Sequence, residues 1–400
     1  MAGGPLDGVR VVDMTTVVVG PICGRTLADQ GADVVKVEAP GGDLLRTMAQ
    51  GARNPGMSGK FMNFNRNKRS ICLDIKQPAG LAALKKLIAG ADVFVTNVRP
   101  AALERAGLDF ASLSAANPRL IYCGIVAFGK GGRYYNRPAY DPIVQSLSGV
   151  AGTFERAIGE PRFVPMVMTD HVTGLIAAQS IGFALYRREK TGVGEAIEAP
   201  MLENMASFVS SEHLAGLTFV PPAGPSGDNR LLSPDYRPLP TVDGYITVGP
   251  NTNPQAFAFF EAIGRPELKD DPRFDSAASR TAHAAEYFEV RAAGLAQKTT
   301  AEWLEIFDRL DVPAAAYNSI DDLLEDPHLA DIGFYEETDH PTEGRILKTK
   351  TPNTFTGGMR EDALPAPHIG EQTRAILLEL GYDAADVDAM IASGAAIESG

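Results

Sequence analysis

The chain has 400 residues, 44% hydrophobic and 22% charged, which is the composition of a soluble globular protein with room for two or three domains. Its 50 acidic residues against 37 basic ones give a net charge of −13, which argues against non-specific nucleic-acid binding. Three scattered cysteines (Cys23, Cys72, Cys123) fit a reducing compartment, and the opening residues lack a basic stretch followed by a long apolar core, so a cytoplasmic protein without a secretory signal is expected. No stretch approaches the ~18 apolar residues of a membrane span.

In chain order, VRVVDM (residues 9–14) reads as a buried strand, TTVVVGP as a loop and ICGRTLADQGA (22–32) as a short helix. DVVKVEAP (33–40) is a second strand, SICLDI (70–75) a third, and PAGLAALKKLIAGA (78–91) a helix with proline at its start. DVFVTNV (92–98) and RLIYCGIVAFG (119–129) follow as strands, separated by the helical turn AALERAG (101–107). Alternating apolar strands and helices predict an α/β fold, a doubly wound parallel sheet covered on both faces. Further on, a helix is expected over 174–190, a strand at EAIEAPM and a helix near 202–216. The Pro-, Gly- and Ser-rich run 221–240 reads as a crossover into a smaller domain containing YITVGP (245–250) and helices near 255–264 and 300–310. An amphipathic helix over 369–382 is predicted to dock back on the first domain. The expected division is therefore 1–224, 225–325 and 326–400.

Several chemical signatures are missing. The sequence has no GxxxxGK[ST], HExxH or GxSxG motif and no His/Cys cluster at zinc spacing, and the first strand-to-helix turn is not GxGxxG. No metal and no permanently bound cofactor is expected, and a nicotinamide oxidoreductase rests on fold class alone. One acid stands out. VPMVMT (164–169) suits a buried strand, a long apolar run follows, and Asp170 lies between them. Aspartate is a favoured helix N-cap, and it is equally a nucleophile that is already ionised at neutral pH when its pKa is near ~3.9. Both readings fit the pattern.

The runs GVRVVDMTTVVVGPICGRTLADQGADVVKVEAPGGDLLR and NRNKRSICLDIKQPAGLAALKKLIAGADVFVTNVRPAALERAGL resemble the class III CoA-transferases, the CaiB/BaiF family that includes formyl-CoA transferase-like enzymes. NPRLIYCGIVAFGKGG, ALYRREKTGVGEAIEAPMLEN, DDLLEDPHLADIGFY and LPAPHIGEQTRAILLELGY extend the resemblance over essentially the whole chain. It implies a Rossmann-like large domain completed by the C-terminal segment, a small middle domain, and two chains interlocked as a homodimer. It also implies a reaction between a coenzyme A thioester and a carboxylic acid, with no nucleic-acid or membrane partner. The resemblance makes Asp170 the nucleophile, forming first an aspartyl–acyl anhydride and then an aspartyl-CoA thioester. Lys76, Asn97 and Arg105 match residues that grip the nucleotide end of CoA, and Val17 and Leu73 match its apolar neighbours. Gly129, Gly131 and Gly132 in AFGKGG are candidates for oxyanion donors or a plain glycine turn.

The sequence departs from relatives at Ala39, where some carry a basic residue, at Val18, where one branch has Gln, and at PNTNPQ (250–255), where that branch has glycines. The same fold also hosts 2-methylacyl-CoA racemases, which use a His and an Asp for proton transfer. In the racemase GHD motif this chain has PAYDPI, with Tyr140 in the histidine position, and tyrosine with a pKa near ~10 is a poor base at neutral pH. His171 beside Asp170 is a substitute candidate. An inactive CoA-binding protein is a third reading, disfavoured by the retained Asp170.

Overall fold

The computed structural model describes residues 3–48, 51–359 and 363–399. Its strands are β1 (Arg10–Met14), β2 (Asp33–Glu38), β3 (Lys68–Leu73), β4 (Val93–Thr96), β5 (Ile121–Val126), β6 (Ala196–Pro200), β7 (Leu239–Pro240), β8 (Tyr245–Val248), β9 (Ala314–Ala316), β10 (Tyr335–His340), β11 (Gly344–Thr349) and β12 (Ala396–Ile397). The chain divides into two compact units. One comprises Met1–Ser148, Val164–Ser207 and Phe334–Gly400, and the other Gly149–Phe163 and Phe208–Gly333. The main breaks fall at 207 and 333 beside the expected 224 and 325, and residues 149–163, with the helix Val150–Ile158, group with the second unit.

The first unit is built on a seven-stranded sheet in the order β12-β3-β2-β1-β4-β5-β6. All neighbours run parallel except β12, which pairs antiparallel with β3. This is the doubly wound parallel sheet expected from the alternating strands and helices. Strand alternation sends Val12, Val35 and Phe94 into one buried cluster and Val11, Val34 and Val93 into another, so both faces are covered. Past Phe334 the chain supplies the β10–β11 hairpin, the helix Thr373–Glu379 and β12. That helix is shorter than the predicted 369–382 span. Its entry is fastened by side chains of Gln372 and Thr373, which accept from the Ser70 and Cys72 amides of β3 at 2.7 and 3.1 Å.

Strand order reverses between β1 and β4, so the loop after β1 crosses the crevice where doubly wound sheets place their ligands. Buried charge underpins that loop. Lys68 Nζ donates to Asp13 Oδ2 at 2.9 Å, to the Pro21 carbonyl at 3.0 Å and to Asn65 Oδ1 at 2.9 Å. Lys36 Nζ donates to Asp43 Oδ2 at 2.8 Å and to the Thr15 carbonyl at 3.0 Å. The side chains of both pairs are fully buried. Asp13 also accepts from the Thr15 hydroxyl and amide, and Arg46 forms a bidentate pair with Glu38. Every charge here has hydrogen-bonded partners, which is the condition for burying it.

The second unit carries the antiparallel sheet β7-β8-β9 over an aromatic core. Trp303 stacks on Phe307 with centroids 5.2 Å apart and donates its indole N–H to the Leu295 carbonyl at 2.8 Å. PNTNPQ starts the helix Asn253–Ala262, where Thr252 and Gln255 form a reciprocal capping box. Among the described residues no helix is long and apolar enough to cross a membrane, and no group of three or more His, Cys, Asp or Glu is placed to hold a metal ion.

The Asp13–Lys68 pair gives the fold its most direct stability test. Lys68→Met leaves a fully buried carboxylate without its cation and is expected to cost about 3–5 kcal/mol in urea unfolding. A loss under about 1 kcal/mol would show that the pair does not hold the loop.

Candidate active site

The strand expected just before Asp170 is absent. The helix there runs Met168–Thr191, six residues earlier than the expected start at 174, so Asp170 is its third residue and not its N-cap. Val167, at the N-cap position, makes no side-chain cap. The cap comes instead from Asp141, the first residue of the helix Asp141–Leu147. Asp141 Oδ1 accepts from the Thr169 amide at 2.7 Å, the Thr169 hydroxyl at 2.6 Å and the Asp170 amide at 3.2 Å. A carboxylate in that place satisfies the free amides of the first turn and complements the positive end of the helix dipole. Asp141 Oδ2 accepts from Gln145, whose side-chain amide also donates to the Met166 carbonyl and accepts from the Val164 amide, so one helix end moulds residues 164–170. Asp141 stands in PAYDPI, read from sequence only for Tyr140. The available signal is Asp followed by Pro at a helix start.

Asp170 is 7% exposed. Burial first, and then the Asp141 charge, push its carboxyl up to about 7, while Lys60 pulls the other way. The expectation of an ordinary, fully ionised aspartate is therefore corrected: near neutrality the group is divided between its two forms. Gly174, one turn further on the same face, touches the neighbouring helix Val19–Asp29, where a Cβ would come within 2.5 Å of the Val19 carbonyl. Val167, just before the Met168 helix, packs in one cluster with Val17 and Val18 of the loop after β1. The His171 ring meets Phe64 edge-on at 5.7 Å, and burial followed by the Arg25 charge lowers its pKa. Tyr140 is 69% exposed.

The loop itself is tightly held. Val17 has φ 68°, a left-handed conformation unusual for a β-branched residue. Its amide donates to Asp43 Oδ1 at 3.1 Å. Asn97, just past β4, accepts from the Thr16 amide at 3.1 Å and donates to the Thr16 carbonyl at 2.9 Å, bridging the two strands that flank the crevice. Lys76 follows β3 and Arg105 lies on the helix Pro100–Ala106 after β4, neither of them buried. Because β1, β3 and β4 are parallel, the residues that closely follow them, Val17, Lys76 and Asn97, leave the sheet at one edge, while Arg105 lies further on, in the last turn of its helix. The Met168 helix, returning to parallel β6, begins at that edge too, which adds Asp170. Leu73 is 1% exposed and packs in the core with Leu84 and Leu377. In the glycine loop the Gly129 amide donates to Glu203 Oε1 at 2.8 Å and the Gly132 amide to the Gly129 carbonyl at 3.2 Å, so two of the three candidate oxyanion donors are engaged within the protein. A cavity of ≈ 500 Å³ in this unit is lined by Met62, Asn63, Arg66 and residues of the β10–β11 hairpin; Asp170 does not line it.

The sequence profile of CoA-transferase family III matches residues 6–373. The chain is 33% identical over 395 residues to the succinyl-CoA:glutarate CoA-transferase of Mus musculus, covering 98% of this chain and 90% of that protein. It is 32% identical over 420 residues to a formyl-CoA:oxalate CoA-transferase of Bradyrhizobium sp., covering 98% and 97%. The crystal structure of a CaiB/BaiF family protein from Brucella suis superposes with a TM-score of 0.78 at 30% identity, covering 94% of this chain and 100% of that one.

The Asp170 environment predicts a pH-dependent cost to the fold. Its carboxyl rises from the ordinary 3.8 to about 7 in the folded chain, so folding disfavours the charged form. That cost is absent below about pH 4, grows through the interval and is complete above about pH 7. Asp170→Asn is therefore expected to unfold at higher urea than the unsubstituted protein at pH ~8, by about 2–4 kcal/mol, with the gain shrinking towards zero at pH ~4. A gain that does not change with pH would mean Asp170 is not held in this way.

Proposed function

The chain belongs to CoA-transferase family III, and from that premise we propose that it moves coenzyme A from an acyl-CoA to a small carboxylic acid through covalent intermediates on Asp170. The observation that carries the reading is a buried carboxylate in the first turn of a helix that packs on the helix following β1, the strand at which the order of a doubly wound sheet reverses and such folds bind ligands. In the first step an Asp170 oxygen attacks the thioester carbonyl, the C–S bond breaks, and CoA thiolate leaves an aspartyl–acyl anhydride. The thiolate attacks the aspartyl carbonyl and releases the first acid, leaving Asp170 as a CoA thioester. The acceptor carboxylate attacks that thioester to give a second anhydride. Thiolate attack on the acceptor's carbonyl then forms the new acyl-CoA and restores Asp170.

No ATP enters, because the thioester bond energy passes from one acid to the other. Burial protects the anhydride and thioester from water. The first turn of the helix Val19–Asp29, which carries no side-chain cap, supplies oxyanion donors in this reading. Lys76 and Arg105 hold CoA phosphates, with Val17 beside the pantetheine and Asn97 shaping the loop. Relatives acting on succinyl-CoA with glutarate and on formyl-CoA with oxalate favour short dicarboxylates as substrates. The working enzyme is a cytoplasmic homodimer in this proposal, supported by an exposed apolar stripe, Leu175, Phe183 and Tyr186, along the Met168 helix. Proton transfer at the α-carbon has weaker support, since Tyr140 is exposed and His171 is turned onto Phe64.

Incubation with succinyl-CoA and a panel of free acids, read by mass spectrometry, is expected to show new acyl-CoAs. Exchange depends on ionised Asp170, so its rate should rise with pH up to about 7 and then level. Asp170→Asn and Asp170→Ala should lower it by roughly 10⁴-fold or more while CoA binding persists. Full turnover by the Asn variant, with deamidation excluded, contradicts the proposal. So does α-carbon deuterium wash-in without an acceptor acid. Arg105→Ala is expected to raise the acyl-CoA KM more than it lowers kcat; an unchanged KM removes Arg105 from the phosphate site.

A further inference from the structure

The second unit encloses a cavity of ≈ 660 Å³ whose walls carry four arginines and one acid, in a chain with a net charge of −13. The acid is Asp228, and its Oδ1 accepts from the Arg230 and Leu231 amides of its own loop. Arg237 is paired with Asp235 at 3.5 Å. Among the described residues, Arg230, Arg280 and Arg291 have no carboxylate partner. Arg280 is 4% exposed, yet its guanidinium meets only neutral acceptors: Phe274 O at 2.9 Å, Asn253 Oδ1 at 2.9 Å and Asn251 O at 3.4 Å. Arg291 donates through Nη2 to the Val248 carbonyl, while its Nε is out of solvent and has no acceptor among the described residues. Burial depresses the Arg291 pKa, as expected of a cation lacking its anion.

The apolar wall is aromatic. Arg291 lies 5.6 Å from the Tyr287 ring centre and 5.1 Å from that of Phe288, and Tyr236 meets Phe288 edge-on at 6.3 Å. Rings of this kind hold guanidinium planes in fixed orientations, so a fork of donors faces a dry surface. The volume falls within the range of small-molecule sites.

We propose that this cavity binds a small organic oxyanion, a carboxylate or a phosphate ester, with its charged end on Arg230, Arg280 and Arg291 and its apolar body against Tyr236, Tyr287 and Phe288. The site lies wholly within the second unit and does not depend on the reaction assigned to Asp170. It also accounts for PNTNPQ. Arg280 grips Asn251 and Asn253, and Tyr287 donates to the Pro250 carbonyl at 3.4 Å, so a bound anion would stiffen the loop through the same side chains.

Calorimetric titration of the full chain, with and without Arg291→Met, separates this cavity from the proposed reaction site, because Arg291 belongs only to the former. Glutarate, phenyl phosphate and inorganic phosphate serve as probes at constant ionic strength. At least one organic probe is expected to bind, and adding Arg291→Met should weaken it tenfold or more. Preference for glutarate identifies a carboxylate ligand, and preference for phenyl phosphate a phosphate ester. The proposal is overturned if no organic probe binds at up to about 10 mM, or if Arg291→Met leaves the affinity unchanged. Should that variant fail to fold, Arg230→Met, at an exposed side chain of the same cavity, decides by the same criterion.

Discussion

One oxygen atom, Oδ1 of Asp141, governs the candidate site. By accepting three donors from Thr169 and Asp170 it starts the Met168 helix six residues before the apolar run suggests, and so fixes where Asp170 sits. The same atom brings a negative charge beside a second buried carboxyl. That charge, added to burial, moves Asp170 to about 7. Position and proton affinity therefore have a common source. A carboxylate of raised basicity is a better nucleophile than an ordinary surface aspartate, provided it can still ionise at working pH, and a value near neutrality meets both conditions.

The opposite wall depends on burial of another kind. Lys36, Lys68 and their carboxylates lie under the loop after β1, where each ammonium also holds a backbone carbonyl. Strain at Val17 is tolerated because Asp43 and Asn97 grip the chain on both sides of it. Gly174 then allows the helix bearing Asp170 to approach the helix that this loop begins. The site is assembled from rigid elements, which suits chemistry needing an acyl carbon held at bonding distance.

Much of the first unit's sheet is legible in the sequence because buried parallel strands are unbroken apolar runs: VRVVDM, DVVKVE and DVFVT stand close to where the pattern puts them. The helix around Asp170 is not legible, because Val, Met and Thr in VPMVMT favour a strand locally, and the side chain that overrides them lies 29 residues away in sequence. Asp141 escapes a local reading for the same reason, since a cap supplied from a distant segment leaves no spacing to recognise. AFGKGG is legible as a turn, but the sequence does not show that Glu203 takes its first amide. The arginine cavity is invisible for a related reason: Arg230, Arg280 and Arg291 are far apart in the chain and converge only when the second unit folds.

The central claim, covalent chemistry on the Asp170 carboxyl, is tested most directly by oxygen transfer. In the proposed sequence an acceptor acid labelled with ¹⁸O in its carboxylate attacks the aspartyl thioester, and the bridging oxygen stays with the enzyme when CoA thiolate takes the acyl group. A single turnover with labelled acid, followed by proteolysis and mass spectrometry, is predicted to place one ¹⁸O atom in the Asp170 side chain. Formation of the new acyl-CoA with no label at Asp170 would contradict the account.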